Sequence, residues 1–152
     1  MGWAAEELKE VDLGDRRLNK RAIALLDTLA AKPTMSIPSA CSSWSETVAG
    51  YRFLANDDVT WEGLLAPHWA CSQTRIACHK VVLMLQDTTE LDFNGQSIDG
   101  LGPLSYEAQR GLYVHPTYAV STDREPLGVL DAWMWAREPK DANGQRPGIK
   151  ES

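Results

Sequence analysis

Hydrophobic positions in the first part of the chain recur at the spacing of α-helices. Trp3 to Val11 predicts a first helix, after which Gly14 interrupts the pattern. Arg16 to Ala31 predicts a second helix, because its apolar residues fall on one face while Asp15 is a plausible N-cap and Pro33 a stop. The basic residues of this second helix lie off its apolar face.

Two further helices follow. The segment 43–46 (SWSE) has the form of a capping box, which predicts a helix through Phe53. Thr60 is a predicted cap for a helix running from Trp61 towards Cys78, which Pro67 either kinks or splits. The large side chains expected to face inward are Trp3, Trp44, Val48, Tyr51, Leu54 and Trp61.

The pattern changes to that of β-strands near Lys80. The continuous apolar run 81–85 predicts a central strand covered on both faces, and 91–93 predicts a short second strand. The segments 112–120 and 126–135 are rich in strand-forming residues and enclose a polar turn, which predicts a hairpin. The segment between these strand regions is rich in glycine and is predicted as a loop.

The change from helices to strands predicts an α+β fold in two parts. A helical domain is expected over residues 1–75 and the start of a mixed sheet over residues 76–138. Residues 139–152 consist of proline, glycine and charged residues, and are expected to be a disordered tail or a linker.

Charge is distributed unevenly along the chain. The net charge of −6 argues against a dedicated nucleic-acid binder, yet six of the 15 Lys and Arg residues fall within residues 13–56. That segment has a net charge of +3 by count, so DNA contacts would be sought there. No apolar run is long enough for a bilayer and the acidic N-terminus does not resemble a secretory signal, so a cytoplasmic location is expected.

The second helix would stack like charges at helical spacing, Arg16 with Lys20 and Arg17 with Arg21. Such stacking has a cost that a bound anion relieves, although a solvated basic face is the structural alternative. Phosphate contacts would dominate, with Arg17, Asn19 or Lys20 as candidates for contacts to base edges. Arg52 lies between Tyr51 and Phe53 in the sequence and is either a further DNA contact or an arginine at the edge of the core.

The other candidate site is Asp87, which directly follows the apolar strand. A carboxylate there is held by a rigid backbone and is well placed to bind a metal ion, whereas the structural alternative is a cap of the strand end. Metal-dependent cleavage of phosphodiesters needs several converging carboxylates, which one aspartate cannot supply. The neighbouring acids are expected to be solvated: Glu90, Asp92, Asp123, Glu125 and Asp131.

Several other residues have a structural interpretation that outweighs a functional one. The three cysteines form no CxxC pair, and the set His68, Cys71, Cys78 and His79 fits no common zinc spacing. His115 is expected to be a core histidine. Trp133 and Trp135 share one side of a strand and are either core residues or a surface on which unpaired bases stack.

Five motifs occur in order with spacing similar to that of a known family. The sequence 85–91 (LQDTTEL) resembles the strand that carries the first catalytic aspartate in DDE transposases of the bacterial insertion-sequence-four (Tn-five-like) family. The other four motifs are at 13–17 (LGDRR), 50–56 (GYRFLAN), 111–115 (GLYVH) and 128–130 (GVL). Their shared order and spacing carry the resemblance.

This resemblance implies a DNA nucleotidyltransferase that cuts and joins transposon DNA with a ribonuclease-H-like core. Asp87 would be the first of three carboxylates that bind Mg²⁺ or Mn²⁺. Double-stranded transposon-end DNA would be bound by Arg16, Arg17, Lys20, Arg21 and Arg52. The family's second Asp and its Glu have no counterpart among the 152 residues, so we expect this chain to be inactive alone.

Two alternatives remain open at this stage. A non-catalytic transposase of this kind would regulate transposition by occupying DNA ends or by pairing with a full-length copy. In either case the resemblance implies association with the nucleoid and allows a homodimer. A phosphotransferase with Asp87 as nucleophile is the more remote alternative, because Thr89 stands where the usual partner acid would be.

Overall fold

The protein has a helical unit followed by a sheet unit, with the boundary between Cys78 and His79. The computed structural model describes residues 2–145, so residues 146–152 of the predicted tail lie outside the described residues. Within residues 2–145, no helix combines the length and apolar character that crossing a bilayer requires. The predicted α+β arrangement, with helices preceding strands, is confirmed.

The described part of the helical unit contains five helices: α1 (Trp3–Glu7), α2 (Arg16–Ala31), α3 (Ile37–Ala40), α4 (Trp44–Leu54) and α5 (Trp61–Ile76). α2 has the predicted bounds, α1 is shorter than predicted, and α3 was not predicted. Pro67 lies within α5, which continues through it without a break.

The predicted N-caps are confirmed by their hydrogen bonds. The Asp15 side chain accepts the backbone N–H of Arg17, and the Thr60 hydroxyl accepts that of Gly63. Ser43 accepts the Glu46 N–H, which is half of the predicted capping box. The Glu46 carboxylate does not complete the box but accepts hydrogen bonds from the N–H and hydroxyl of Ser42.

A small apolar core joins the chain before α2 to α2 and α4. Its buried members are Leu8, Val11, Leu13, Ala22, Leu25 and Phe53. Complete burial of a leucine or phenylalanine contributes about 1.5–3 kcal/mol, so each of the larger side chains in this core stabilises the unit appreciably.

The inward face of α4 differs from the predicted one. Thr47, Gly50 and Phe53 are buried, whereas Trp44 is 77% exposed and Tyr51 51% exposed. A Cβ at position 50 would lie 3.5–3.6 Å from side-chain atoms of Leu25 and Ile37, at ordinary contact distance, so this face of α4 packs directly against them. The prediction of inward positions was also wrong for Trp3, Leu54 and Trp61, which are exposed.

A buried ion pair joins α1 to α5. The carboxylate of Glu7 accepts two hydrogen bonds of 2.9 Å from the guanidinium of Arg75 and also contacts His68 Nδ1. Hydrogen bonding from Arg75 holds the pKa of Glu7 below its ordinary value despite the opposing effect of burial. His68 and Cys71, two members of the zinc set that the sequence disfavoured, both lie against Glu7.

The sheet unit is organised around one long strand. Its described strands are β1 (Val82–Gln86), β2 (Thr89–Asp92), β3 (Gly102–Pro103), β4 (Arg110–Ser121) and β5 (Pro126–Trp135). β1, β2, β3 and β5 all pair with β4, and every described pairing is antiparallel. The predicted hairpin of residues 112–120 and 126–135 is confirmed as β4 and β5. A mixed sheet was predicted, but no parallel pair of strands occurs among these described pairings.

β1 and β2 form one interrupted strand along β4. Both segments keep the same register, which places Asp87 across from Pro116 and Thr88 across from His115. Proline has no N–H to donate, which accounts for the missing ladder bond at this position. Side-chain hydrogen bonds bridge the interruption, between Thr88 and His115 at 2.8 Å and from Gln86 to Thr117 at 2.9 Å.

The prediction that the apolar strand 81–85 is covered on both faces was wrong. β1 forms where predicted, but Leu83, Met84 and Leu85 are each about half exposed. Among the described strands β1 has only β4 as a neighbour, so it is an edge strand with a free row of backbone groups. An apolar edge of this kind is a surface on which further chain pairs readily.

Candidate nucleic-acid interface

A groove between α2 and α4 gathers three of the predicted basic residues. It has a volume of about 920 Å³, within the size range of ligand-binding clefts. From α2 and its cap the groove takes Asp15, Arg17, Leu18 and Arg21. From α4 and the loop after it come Trp44, Ser45, Val48, Ala49, Arg52, Phe53, Asn56 and Asp58.

The arginines reach this groove because α2 and α4 each direct apolar side chains into the core and basic side chains towards the surface. Leu25 and Phe53 enter the core, while Arg21 and Arg52 lie away from it beside the groove. Arg17 and Arg21 are one helical turn apart on α2, and Arg52 approaches from the other helix. The groove therefore presents cations from two directions, which suits a ligand with spaced negative charges.

Arg17 is already paired within the protein. Its guanidinium donates to the Asp15 carboxylate at 2.8 Å, and its backbone N–H donates to the same carboxylate at 2.7 Å. These bonds hold the pKa of Asp15 below its ordinary value and raise that of Arg17. The Arg17 side chain is 91% exposed and Asp15 partly neutralises it, so a phosphate would have to compete with Asp15 for this cation.

Arg16 and Lys20 are exposed on α2 but do not line the groove. The structure thus brings together three of the five predicted DNA-contact residues, Arg17, Arg21 and Arg52, and leaves the other two outside. Arg52 is exposed, which favours a surface contact over the alternative of an arginine packed at the core edge.

Trp44 is the groove residue that sequence reasoning misplaced. It is the first residue of α4, and 77% of its surface is exposed in a wall that also contains Val48 and Ser45. Its neighbour Glu46 is held away by Ser42 and by the Thr28 hydroxyl at 3.2 Å. The signal that was available in the sequence is the choice of small residues at positions 47 and 50, which places Trp44 off the packed face.

Asp87, the second candidate site, lies in the sheet unit at the interruption between β1 and β2. It is exposed, and its Oδ1 accepts the N–H of Thr88 at 2.8 Å. Asp87 therefore accepts a backbone N–H at the end of the strand, as the interpretation of a strand cap predicts, while the residue remains exposed to solvent. It follows the apolar strand directly, as the sequence indicated.

The other acidic residues nearby do not gather around Asp87. Alternation along the strand places Glu90 and Asp92 on the opposite face of the sheet. Asp131 also belongs to that opposite face, because it lies across from Thr117, the residue that bonds Gln86. Within residues 2–145 no three His, Cys, Asp or Glu side chains form a group that would hold a metal ion. The described residues therefore do not make a complete Mg²⁺ or Mn²⁺ site.

On this opposite face, aromatic side chains of the hairpin stack. The rings of Trp133 and Trp135 are 4.5 Å apart, and Tyr113 lies 5.3 Å from Trp135 with the Arg137 guanidinium over its ring. Tyr113 is buried and Trp133 is 40% exposed. His115, across from Trp133, bonds Thr88. This stack packs the sheet face away from Asp87, in keeping with the core interpretation.

Comparison with protein families bears on the helical unit. Residues 1–59 match a family model described as transposase DNA-binding. All the residues that line the groove, from Asp15 to Asp58, lie within this match. The chain thus begins with a segment that matches the DNA-binding domain of transposases, and DNA is the partner that this match supports.

Proposed function

We propose that the helical unit binds double-stranded DNA at transposon ends, with the sugar-phosphate backbone held in the groove between α2 and α4. The observation that carries this proposal is the convergence of Arg21 and Arg52, from two different helices, on one groove. That groove lies wholly within the segment that matches transposase DNA-binding domains.

The contacts in the groove are mainly to phosphates, which supply affinity and register, because cations that approach from two helices suit the spaced charges of a sugar-phosphate backbone. Arg21 and Arg52 make the principal contacts. Arg17 contributes less, since Asp15 holds its guanidinium. Arg16 and Lys20 lie outside the groove and extend the positive surface to a neighbouring phosphate.

A gel-shift titration of the full chain tests this proposal. The probes are a duplex from the DNA flanking the gene and an unrelated duplex of equal length, each at several salt concentrations. Each phosphate contact contributes a slope of about −0.9 in log K against log [salt]. Arg21→Ala and Arg52→Ala should each reduce the magnitude of the slope by about one.

The matched control is Lys9→Ala, which removes one exposed positive charge from the same unit outside the groove. Its binding slope should stay at the native value, while Arg17→Ala should fall between the control and Arg21→Ala. If the native chain ignores both duplexes at low salt, DNA binding is excluded. Equal effects of Lys9→Ala and Arg21→Ala would exclude the groove.

For the sheet unit, we propose that Asp87 is the first carboxylate of a ribonuclease-H-like metal site of the DDE type, which uses Mg²⁺ or Mn²⁺. Support comes from its place after an apolar strand and from the open side of its carboxylate. The apolar residues of β1 are half exposed, which favours a larger sheet in which further chain covers β1. That larger sheet would also supply the remaining carboxylates.

This proposal predicts that the 152-residue chain binds DNA but leaves phosphodiester bonds intact with Mg²⁺ or Mn²⁺. Cleavage that Asp87→Asn abolishes would assign a complete site to this chain. Cleavage that survives Asp87→Asn would exclude Asp87 from the chemistry.

A further inference from the structure

The indole of Trp44 is exposed in the same groove as the arginines. A tryptophan is rarely left 77% exposed, because burying its large apolar surface is favourable. Within the described residues its ring stacks on no other aromatic ring. Trp44 is thus an aromatic surface beside Arg21 and Arg52, with no described contact that explains its position.

A groove that combines cations with an exposed aromatic ring matches the way proteins bind unpaired nucleotides. The cations follow the backbone, and the ring stacks on the face of a base. Inside a paired duplex each base face is covered by the next base pair, so an indole finds a free face only at a duplex end, where pairing holds the terminal bases in place. An unpaired base exposes both faces and is free to turn towards the ring.

We propose that Trp44 stacks on an unpaired base of DNA held in the groove, so that the protein favours a duplex with a single-stranded extension over a blunt one. The inference rests on the proposed DNA binding and adds a preference for the structure of the DNA end. Stacking of one base on an aromatic side chain corresponds to roughly a tenfold gain in affinity.

Fluorescence anisotropy with the full chain and labelled DNA provides the test. One probe is a blunt duplex from the DNA flanking the gene and the other is the same duplex with a short single-stranded extension, both at low salt. The native chain should bind the extended duplex roughly tenfold more tightly. Trp44→Ala should weaken binding of the extended duplex roughly tenfold more than binding of the blunt duplex, which removes the preference.

Two variants guard against indirect effects. Trp44→Phe keeps an aromatic ring and should retain part of the preference. Trp3→Ala removes another exposed tryptophan of the helical unit, 58% exposed and outside the groove, and should keep the whole preference. A folding defect would weaken binding of both probes together, so a selective loss identifies stacking.

The outcomes separate this inference from the proposed function. Failure to bind either probe overturns both. Binding without a preference for the extension, or a preference that survives Trp44→Ala, overturns the stacking proposal alone. Self-association that Trp44→Ala abolishes, with no preference among DNA probes, assigns the indole to a protein contact and also overturns it.

Discussion

Replacing Glu7 with glutamine tests whether the buried ion pair between α1 and α5 stabilises the helical unit. Glutamine keeps the size of the side chain but leaves Arg75 and His68 beside a neutral amide. Removing one partner of a buried pair costs about 3–5 kcal/mol. The Arg75 side chain is 37% exposed and also donates to Ser72, so solvent and Ser72 offset part of the loss and we expect about 1–3 kcal/mol.

Urea denaturation of the full chain, followed by the helical circular dichroism signal, measures this free energy of unfolding. Glu6→Gln is the matched control, because Glu6 lies one residue earlier in α1 with its side chain 64% exposed beside Lys9. A solvent-exposed ion pair contributes little to stability, so the control should barely shift the midpoint. Equal losses in the two variants would refute the assignment of stability to the buried pair.

The Glu7 carboxylate also makes stability depend on pH with a defined sign. Because folding lowers its pKa, its contribution is complete above the ordinary value of 4.5 and is lost as the pH falls through the lower folded-state pKa. The difference in stability between the native chain and Glu7→Gln should therefore be largest near neutral pH and shrink on acidification. A difference that stays constant would mean that glutamine acts through packing.

Two further predictions concern the sheet unit. Gly111→Ala places a Cβ about 2.0 Å from the Leu91 carbonyl oxygen, so hydrogen exchange of the β4 amides should become fast. The control Gly50→Ala, whose Cβ would lie 3.5 Å from its nearest neighbour, should leave exchange of these amides unchanged. Equally slow exchange in both variants would contradict the clash at Gly111. Leu85→Lys places a charge on the apolar edge strand and should reduce self-association, measured by light scattering. The control is Gln86→Lys, one residue along the same strand. An effect of Leu85→Lys no larger than that of the control would exclude Leu85 from the self-association surface.

The bounds of α2 followed from the sequence because all the signals are local. Asp15 caps the helix, the apolar spacing continues to Ala31, and Pro33 follows at once. The β4–β5 hairpin was equally accessible, since strand-forming residues enclose a short polar turn. Neither inference needed knowledge of which distant residue each element would contact.

The buried face of α4 could not be predicted from local sequence signals in the same way. Periodicity identifies a helix, but the face that is buried depends on the shape of the partner surface. Gly50 is buried because α4 passes close to Leu25, and this close passage leaves Tyr51 outside. Glu7 is a similar case, since only the fold brings it to Arg75, 68 residues later. A polar stripe at positions 68, 72 and 75 of α5 was the available signal.

Exposed apolar residues have different meanings at the two places where the sequence predicted burial. On β1, Leu83 and Leu85 stand beside a free backbone edge, which favours further strand pairing as the cover. Trp44 stands instead on a helix, which has no free strand edge for pairing, beside Arg21 and Arg52. A protein cover over those arginines would bury their charge at a cost, whereas a nucleic acid supplies the opposite charge. The neighbours of an exposed apolar side chain, more than its hydrophobicity, therefore indicate which class of molecule covers it.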